Sequence, residues 1–223
     1  MLVRSFNALA ARAFAAGDPA GLDKRLTSHG WVVLPGIGAA GLDAVVAALD
    51  AAVLQTTEVV VREGRALVTS DRALDLHTDH HRADFIAWHC RAQTSAGGAT
   101  RLADAAAAFA TLTTSEQRLL GEVRLFEHSI FAGDATTHPV VEHGADGPRF
   151  YCSFWFDDEG ALSPPQRSAF AAFESAIRRQ EVANFRLVAG DVLLINNRRI
   201  LHGRTAITGS RDRHLDRYWL TRS

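Results

Sequence analysis

Lysine is all but missing from this chain of 223 residues: Lys24 is the only one, and arginine carries nearly all the positive charge. That bias fits a GC-rich genome and points to no function. An excess of either sign is lacking too. The 24 basic residues meet 25 acidic ones for a formal net charge of -1, so nucleic acid or an acidic membrane surface is not expected as partner. No apolar run reaches the length needed to span a bilayer. Cysteine is scarce, and Cys90 and Cys152 lie in apolar, aromatic-rich stretches where a thiol behaves as a small buried hydrophobe. A disulfide is therefore not expected. Repeats and low-complexity linkers are lacking as well, and the alanine run at 105–108 reads as helix.

What is present is a globular composition, 47% hydrophobic and 22% charged, with length enough for one domain over 1–223. The expected layout is an N-terminal helical region over about 1–55 and a β core over about 59–221. The cytoplasm is the expected compartment, a small molecule the expected partner, and a homo-oligomer is compatible with the sequence. Residues 1–17, Arg-containing, acid-free and amphipathic, read as a surface helix or as an organellar transit segment.

Along the chain, helical spacing covers 20–29 and a short apolar strand follows at 30–35. Alanine-rich 41–54 predicts a largely buried helix, and 59–68 a hairpin turning at Glu63-Gly64. Strand patterns cover 84–93, 124–131, 138–142, 149–156, 184–188, 191–196 and 215–221, with a turn at 144–147. Helices are expected after Asp104, after Thr113 or Thr114 with a capping box, and after Ser163 with proline in its first turn, reaching about 180. Many short strands without strand-helix alternation predict an antiparallel, mainly β jelly roll, a double-stranded β-helix with helical decoration.

The chemistry concentrates in His77-Thr78-Asp79. On a strand, residues i and i+2 share a face, so this imidazole and carboxylate can reach one point. Alone they could be a hydrogen-bonded surface pair. Far downstream, the apolar strand from Asp191 ends in polar residues and delivers His202-Gly203-Arg204, where glycine lets the backbone approach closely. Two histidines and one carboxylate on one side of a metal form the facial triad of non-haem Fe(II) oxygenases, with open positions left over. His80 and His81 follow Asp79 and are expected at the pocket mouth or in solvent. A zinc hydrolase built on this histidine-rich segment and a non-catalytic jelly-roll binding module are the competing readings.

These motifs stand in an order that resembles the Fe(II)/2-oxoglutarate-dependent oxygenases of the taurine dioxygenase and clavaminate synthase-like superfamily, over 76–220. The matching stretches are His77-Thr78-Asp79, then Gly97-Gly98-Ala99-Thr100 leading to Asp104, then Gly190-Asp191 through His202-Gly203-Arg204, then Arg213 and Arg217. The resemblance implies Fe(II) on His77, Asp79 and His202, with 2-oxoglutarate and O2 as cosubstrates. It implies Arg213 pairing with the far carboxylate of 2-oxoglutarate, helped by the Thr100 hydroxyl. Arg211 competes for that role, but the position eleven residues after His202 favours Arg213. Arg217 is expected either to face an anionic substrate group or to pair with Asp212 or Asp216. Leu193, Ile195 and Trp219 are candidate wall residues or ordinary core. An aspartate at 79, where related halogenases carry a small residue, implies hydroxylation, desaturation or ring closure at an unactivated C–H bond instead of halogenation, with hydroxylation the expected outcome. The expected substrate is a free amino acid or derivative; desaturation, cyclisation and a carrier-tethered or peptide substrate are the alternatives.

Overall fold

The computed structural model describes residues 19–62, 67–144, 147–154 and 162–222. Helix α1 (Pro19–His29) leads into strand β1 (Trp31–Leu34), then helix α2 (Gly38–Ala48) and the long strand β2 (Ala51–Val60). A 3-10 turn at Leu67–Thr69 precedes β3 (Leu74–His77), β4 (Phe85–Ala92) and β5 (Thr100–Asp104). Helices α3 (Ala105–Ala110) and α4 (Thr114–Glu122) come next, followed by the short strands β6 (Arg124–Phe126), β7 (Thr137–Pro139), β8 (Val141–Gly144) and β9 (Gly147–Phe150). Helix α5 (Pro164–Arg179) returns the chain to β10 (Glu181–Phe185), β11 (Val192–Asn196), β12 (Ile200–Arg204) and β13 (His214–Arg222).

Two antiparallel sheets form the jelly roll, one in the order β1-β11-β4-β13-β2 and one in the order β10-β5-β12-β3. The central strands are apolar on both faces because both faces are covered. Trp88, Leu193, Ile195 and Trp219 point between the sheets to meet Leu102 and Ile200. Their neighbours Phe85, Ala87 and Leu194 point outward, against Leu22 and Leu26 of α1 and Leu42 and Val45 of α2. On the far side, Phe109, Leu120, Phe170 and Phe173 of helices α3 to α5 pack on Leu76, Ala103 and Leu201 of the four-stranded sheet. Each fully buried apolar side chain of this kind contributes roughly 1.5–3 kcal/mol.

Local signals decided the helix ends. Asp104 caps α3 by accepting from the Ala107 amide at 3.0 Å, and Thr113 with Glu116 forms the expected capping box of α4. Three expectations are corrected. The helix expected over 41–54 stops at Ala48, because Asp50 turns the chain at φ +48° and 51–54 join a strand pairing with β13. Among the described residues the hairpin expected over 59–68 gives way to other structure: β2 ends at Val60, its partner is β13, and 67–69 is a 3-10 turn. Strand β3 ends at His77, not at Asp79. The expected turn at Glu63-Gly64, the middle of the turn at 144–147, the end of the strand at 149–156 and the N-terminal segment 1–17 lie outside the described residues. Among the described residues no helix is long and apolar enough to cross a membrane.

Candidate metal centre and its two cavities

His77 and His202 are cross-strand partners. Strand β12 pairs with β3 in a register that sets them opposite one another, with ring centroids 4.2 Å apart. Gly203 makes this possible, since a Cβ there would stand 2.6 Å from the Leu74 carbonyl oxygen. The pairing skips a step between His202 and Arg204, a bulge of the kind that re-aims side chains beside functional sites.

Asp79 reaches the same point from a loop. Thr78 is clamped to Cys152, its amide donating to the Cys152 carbonyl at 2.8 Å and its hydroxyl accepting from the Cys152 amide at 2.9 Å. Asn197 then holds the turn: its side-chain oxygen accepts the Asp79 amide at 2.9 Å, and its amide nitrogen donates to the carbonyls of Asp79, His80 and Ala83. The outcome is Asp79 Oδ1 at 3.6 Å from His77 Nε2 and 3.8 Å from His202 Nε2, all three residues buried. One ligand atom from each lies within 4.8 Å of the others.

The protonation states suit a divalent cation. His77 Nδ1 sits 2.8 Å from the Asp75 carbonyl, which only accepts, so the proton is on Nδ1 and Nε2 offers a lone pair toward Asp79. Burial, reinforced by His77, drives the His202 pKa well down and keeps it neutral. Burial alone would raise the Asp79 pKa, but Arg217 and the two imidazoles outweigh it and hold the carboxyl far below the usual carboxylate range. Two imidazoles and one carboxylate are the donor set that non-haem Fe(II) takes.

Arg217 and Trp219 both turn to Asp79. Arg217 Nη1 lies 3.1 and 2.9 Å from the two carboxylate oxygens, and Trp219 Nε1 donates to Oδ2 at 2.7 Å. Asp216, one expected partner of Arg217, instead accepts from Arg91 Nε at 2.6 Å. Trp219 thus belongs to the site as a donor as well as a wall.

On one side of the triad lies a cavity lined by His77, His202, Thr100, Arg204, Arg213 and Leu193. Arg213 is 6% exposed, its Nε has no hydrogen-bond partner, and no carboxylate pairs with it among the described residues. Burial, with Arg204 nearby, lowers its pKa to about 10. An unpaired buried cation is costly unless an anion arrives. Arg204 is spent elsewhere, donating to the carbonyls of Leu67, Ser70 and Arg72. Arg211, the competing arginine, is exposed and pairs with Asp71 at 2.9 Å. Leu193 lines this cavity, whereas Ile195 is core between the sheets.

On the other side is a cavity of about 390 Å³ that touches Asp79, His80, Glu127, Tyr151, Arg217 and Trp219. His80 is buried there, 3.1 Å from Asp134, and the half-buried His81 hydrogen-bonds Glu127 through Nδ1. His80, His81 and Glu127 form a second group of close donors apart from the triad. Glu127 and the bracing role of Asn197 escape the sequence reading. The signals were there, a lone acid within the 124–131 stretch and an asparagine just after β11, but neither names its partners.

Comparison with known proteins agrees with this geometry. Residues 10–219 match the taurine catabolism dioxygenase TauD, TfdA family. Among solved structures, an asparagine oxygenase in complex with Fe(II), 3-hydroxyasparagine and succinate superposes with a TM-score of 0.74 at 18% identity, covering 94% of this chain and 82% of that one. The non-haem iron oxygenase OrfP, in complex with Fe and α-ketoglutaric acid, gives 0.74 at 18% identity over 100% and 84% of the two chains. PvcB from Pseudomonas aeruginosa gives 0.64 at 22% identity over 90% and 78%. No curated protein sequence matches this one. The chain belongs to the taurine catabolism dioxygenase TauD, TfdA family and is a non-haem Fe(II)- and 2-oxoglutarate-dependent dioxygenase.

Proposed function

We propose that the enzyme hydroxylates an unactivated C–H bond of a free amino acid or close derivative, with Fe(II) held by His77, Asp79 and His202. The metal, with 2-oxoglutarate and O2, supplies the oxidising power, and 2-oxoglutarate leaves as succinate and carbon dioxide. The observation that carries the reading is the pairing of a 2-His-1-carboxylate cluster with an unpaired buried arginine on one wall of the neighbouring cavity. Arg213 offers a planar fork of donors to the far carboxylate of 2-oxoglutarate, and Thr100 adds a hydroxyl. The apolar walls around them, Leu193 and Trp88 among them, keep water from the reacting centre.

The second cavity is the substrate's. Arg217 faces it while still bound to Asp79, with its Nε buried and unpartnered, so it can take a substrate carboxylate. Two of the solved neighbours were captured with hydroxylated amino acids, hydroxyasparagine and hydroxyarginine, which supports the same class here. Cys90 and Cys152 are free and buried, which suits a reducing cytoplasm. The test is succinate release under air, with Fe(II) and 2-oxoglutarate, against a panel of L-amino acids. A substrate-dependent burst with a product heavier by one oxygen supports the reading. Failure of every amino acid, with release prompted by another small-molecule class, would replace it.

A further inference from the structure

Glu127 is a carboxylate that the triad does not explain. It is 1% exposed, yet it borders the same cavity as Asp79, Arg217 and Trp219. Its partners are two imidazoles and a backbone amide: His81 through Nδ1 and through N–H at 3.2 Å, and His80 Nε2 at 3.5 Å. No lysine or arginine pairs with it among the described residues. The nearby Asp134 does not share this condition, because it accepts from the Ile130 and Phe131 amides and pairs with His80 and Arg82.

The rest of the cavity wall is largely apolar, with Leu67, Val68, Leu74 and Ile130. The Tyr151 hydroxyl, which could otherwise compete as a donor, is tied to the Phe126 carbonyl at 2.9 Å. Among the described lining residues Arg217 is the one guanidinium, and Asp79, which Arg217 neutralises, is the one other carboxylate. The cavity therefore offers one cationic and one anionic anchor among largely apolar walls, in a volume of about 390 Å³ that a small molecule fills. Burying a carboxylate without a cation is costly, and a ligand ammonium arriving with charge-assisted hydrogen bonds offsets that cost. Burial accordingly raises the Glu127 pKa to about 7.

We propose that Glu127 accepts the ammonium group of the substrate while Arg217 takes its carboxylate, so that the site selects zwitterionic amino acids with a free amine. This rests on the amino-acid reading above and narrows it, excluding N-acylated, peptidyl and deaminated acids.

The test uses the full chain with Fe(II) and 2-oxoglutarate under argon, following perturbation of the coloured charge-transfer band on adding the twenty proteinogenic L-amino acids. Each hit is compared with its N-acetyl and α-hydroxy counterparts, and succinate release is measured in parallel. Wild-type protein is expected to bind the free amino acid on the order of 100-fold more tightly than either counterpart. Glu127→Gln, which keeps an acceptor for the His81 amide, is expected to weaken the amino acid about 100-fold and the hydroxy acid little, erasing the preference. Glu127→Asp is expected to restore part of it. A merely structural glutamate would weaken both ligands alike. Equal binding of amino and hydroxy acids by wild type, a preference that survives in Glu127→Gln, or binding of N-acetyl compounds alone would overturn the proposal. So would a second equivalent of Fe(II) per chain that Glu127→Gln abolishes, since Glu127 would then be a metal ligand. Because the band before any addition reports iron and 2-oxoglutarate alone, its absence in wild type would overturn the iron reading itself.

Discussion

Trp219 Nε1 donates to Asp79 Oδ2 at 2.7 Å, and this leaves Oδ1 as the oxygen that faces both His77 Nε2 and His202 Nε2. An indole on strand β13 thereby leaves Oδ1 free for the metal that His77, Asp79 and His202 are proposed to hold. Arg217, from the same strand two residues earlier, neutralises the charge without displacing it.

Replacing Trp219 by Phe keeps the wall and removes the donor. Outer partners of metal ligands are worth roughly 10–100-fold in metal affinity. Fe(II) binding to Trp219→Phe, titrated without oxygen, is expected to weaken by about 10-fold, with little change in the 2-oxoglutarate KM.

Arg213 carries opposite predictions for function and stability. Arg213→Met should raise the KM for 2-oxoglutarate on the order of 100-fold, since a charge-assisted pair is lost. The ligand-free variant should nevertheless melt at or above the wild-type temperature, because an unpaired buried cation is gone. Succinate should stabilise wild type in the same melt and leave the variant unmoved.

Asn197 braces the loop from Asp79 to Ala83 with four hydrogen bonds from one side chain. Asn197→Ala strips that loop of its buried partners and should cost about 2–4 kcal/mol in urea denaturation. Iron affinity should fall with it, although no metal ligand is altered.

Glu127 sets a pH dependence whose sign follows from its raised pKa. The folded protein holds the proton to about pH 7 while an unfolded glutamate releases it near 4.5, so stability from this group is full below 4.5 and falls as pH rises through 7. The loss is about 3 kcal/mol by pH 8. His80, His81, Asp134 and Arg198 face the same group. Glu127→Gln should flatten this slope, so that the gap between variant and wild-type melting temperatures widens from pH 5 to pH 8 in protein without ligands.

Much of the site was legible because the chemistry needs fixed residue types in fixed order. His77, Asp79, His202, Thr100 and Arg213 could be named from the sequence, and the structure brings all five around one centre. Asp79 reaches the centre by a route other than strand alternation: strand β3 stops at His77, and Asn197 and Thr78 aim the carboxylate. Strands with two buried faces, such as Val192–Asn196, announce themselves by continuous apolar runs. Strand β2 did not, because Ala51 to Leu54 have helical composition and become strand only by pairing with β13, more than 160 residues away. Glu127 was invisible as a functional group, and Trp219 was legible as a candidate wall residue but not as a donor, for a related reason, since nothing local to either says that a cavity or a carboxylate lies opposite.

The proposed site holds Fe(II) and 2-oxoglutarate together through His77, Asp79, His202 and Arg213. Visible absorbance under argon, on adding Fe(II) and then 2-oxoglutarate, tests it most directly. A coloured charge-transfer band is expected that saturates at one equivalent of each, vanishes in His202→Ala, and needs on the order of 100-fold more 2-oxoglutarate in Arg213→Met. Well-folded wild-type protein that gives no band, or a band that survives unchanged in His202→Ala, would contradict it.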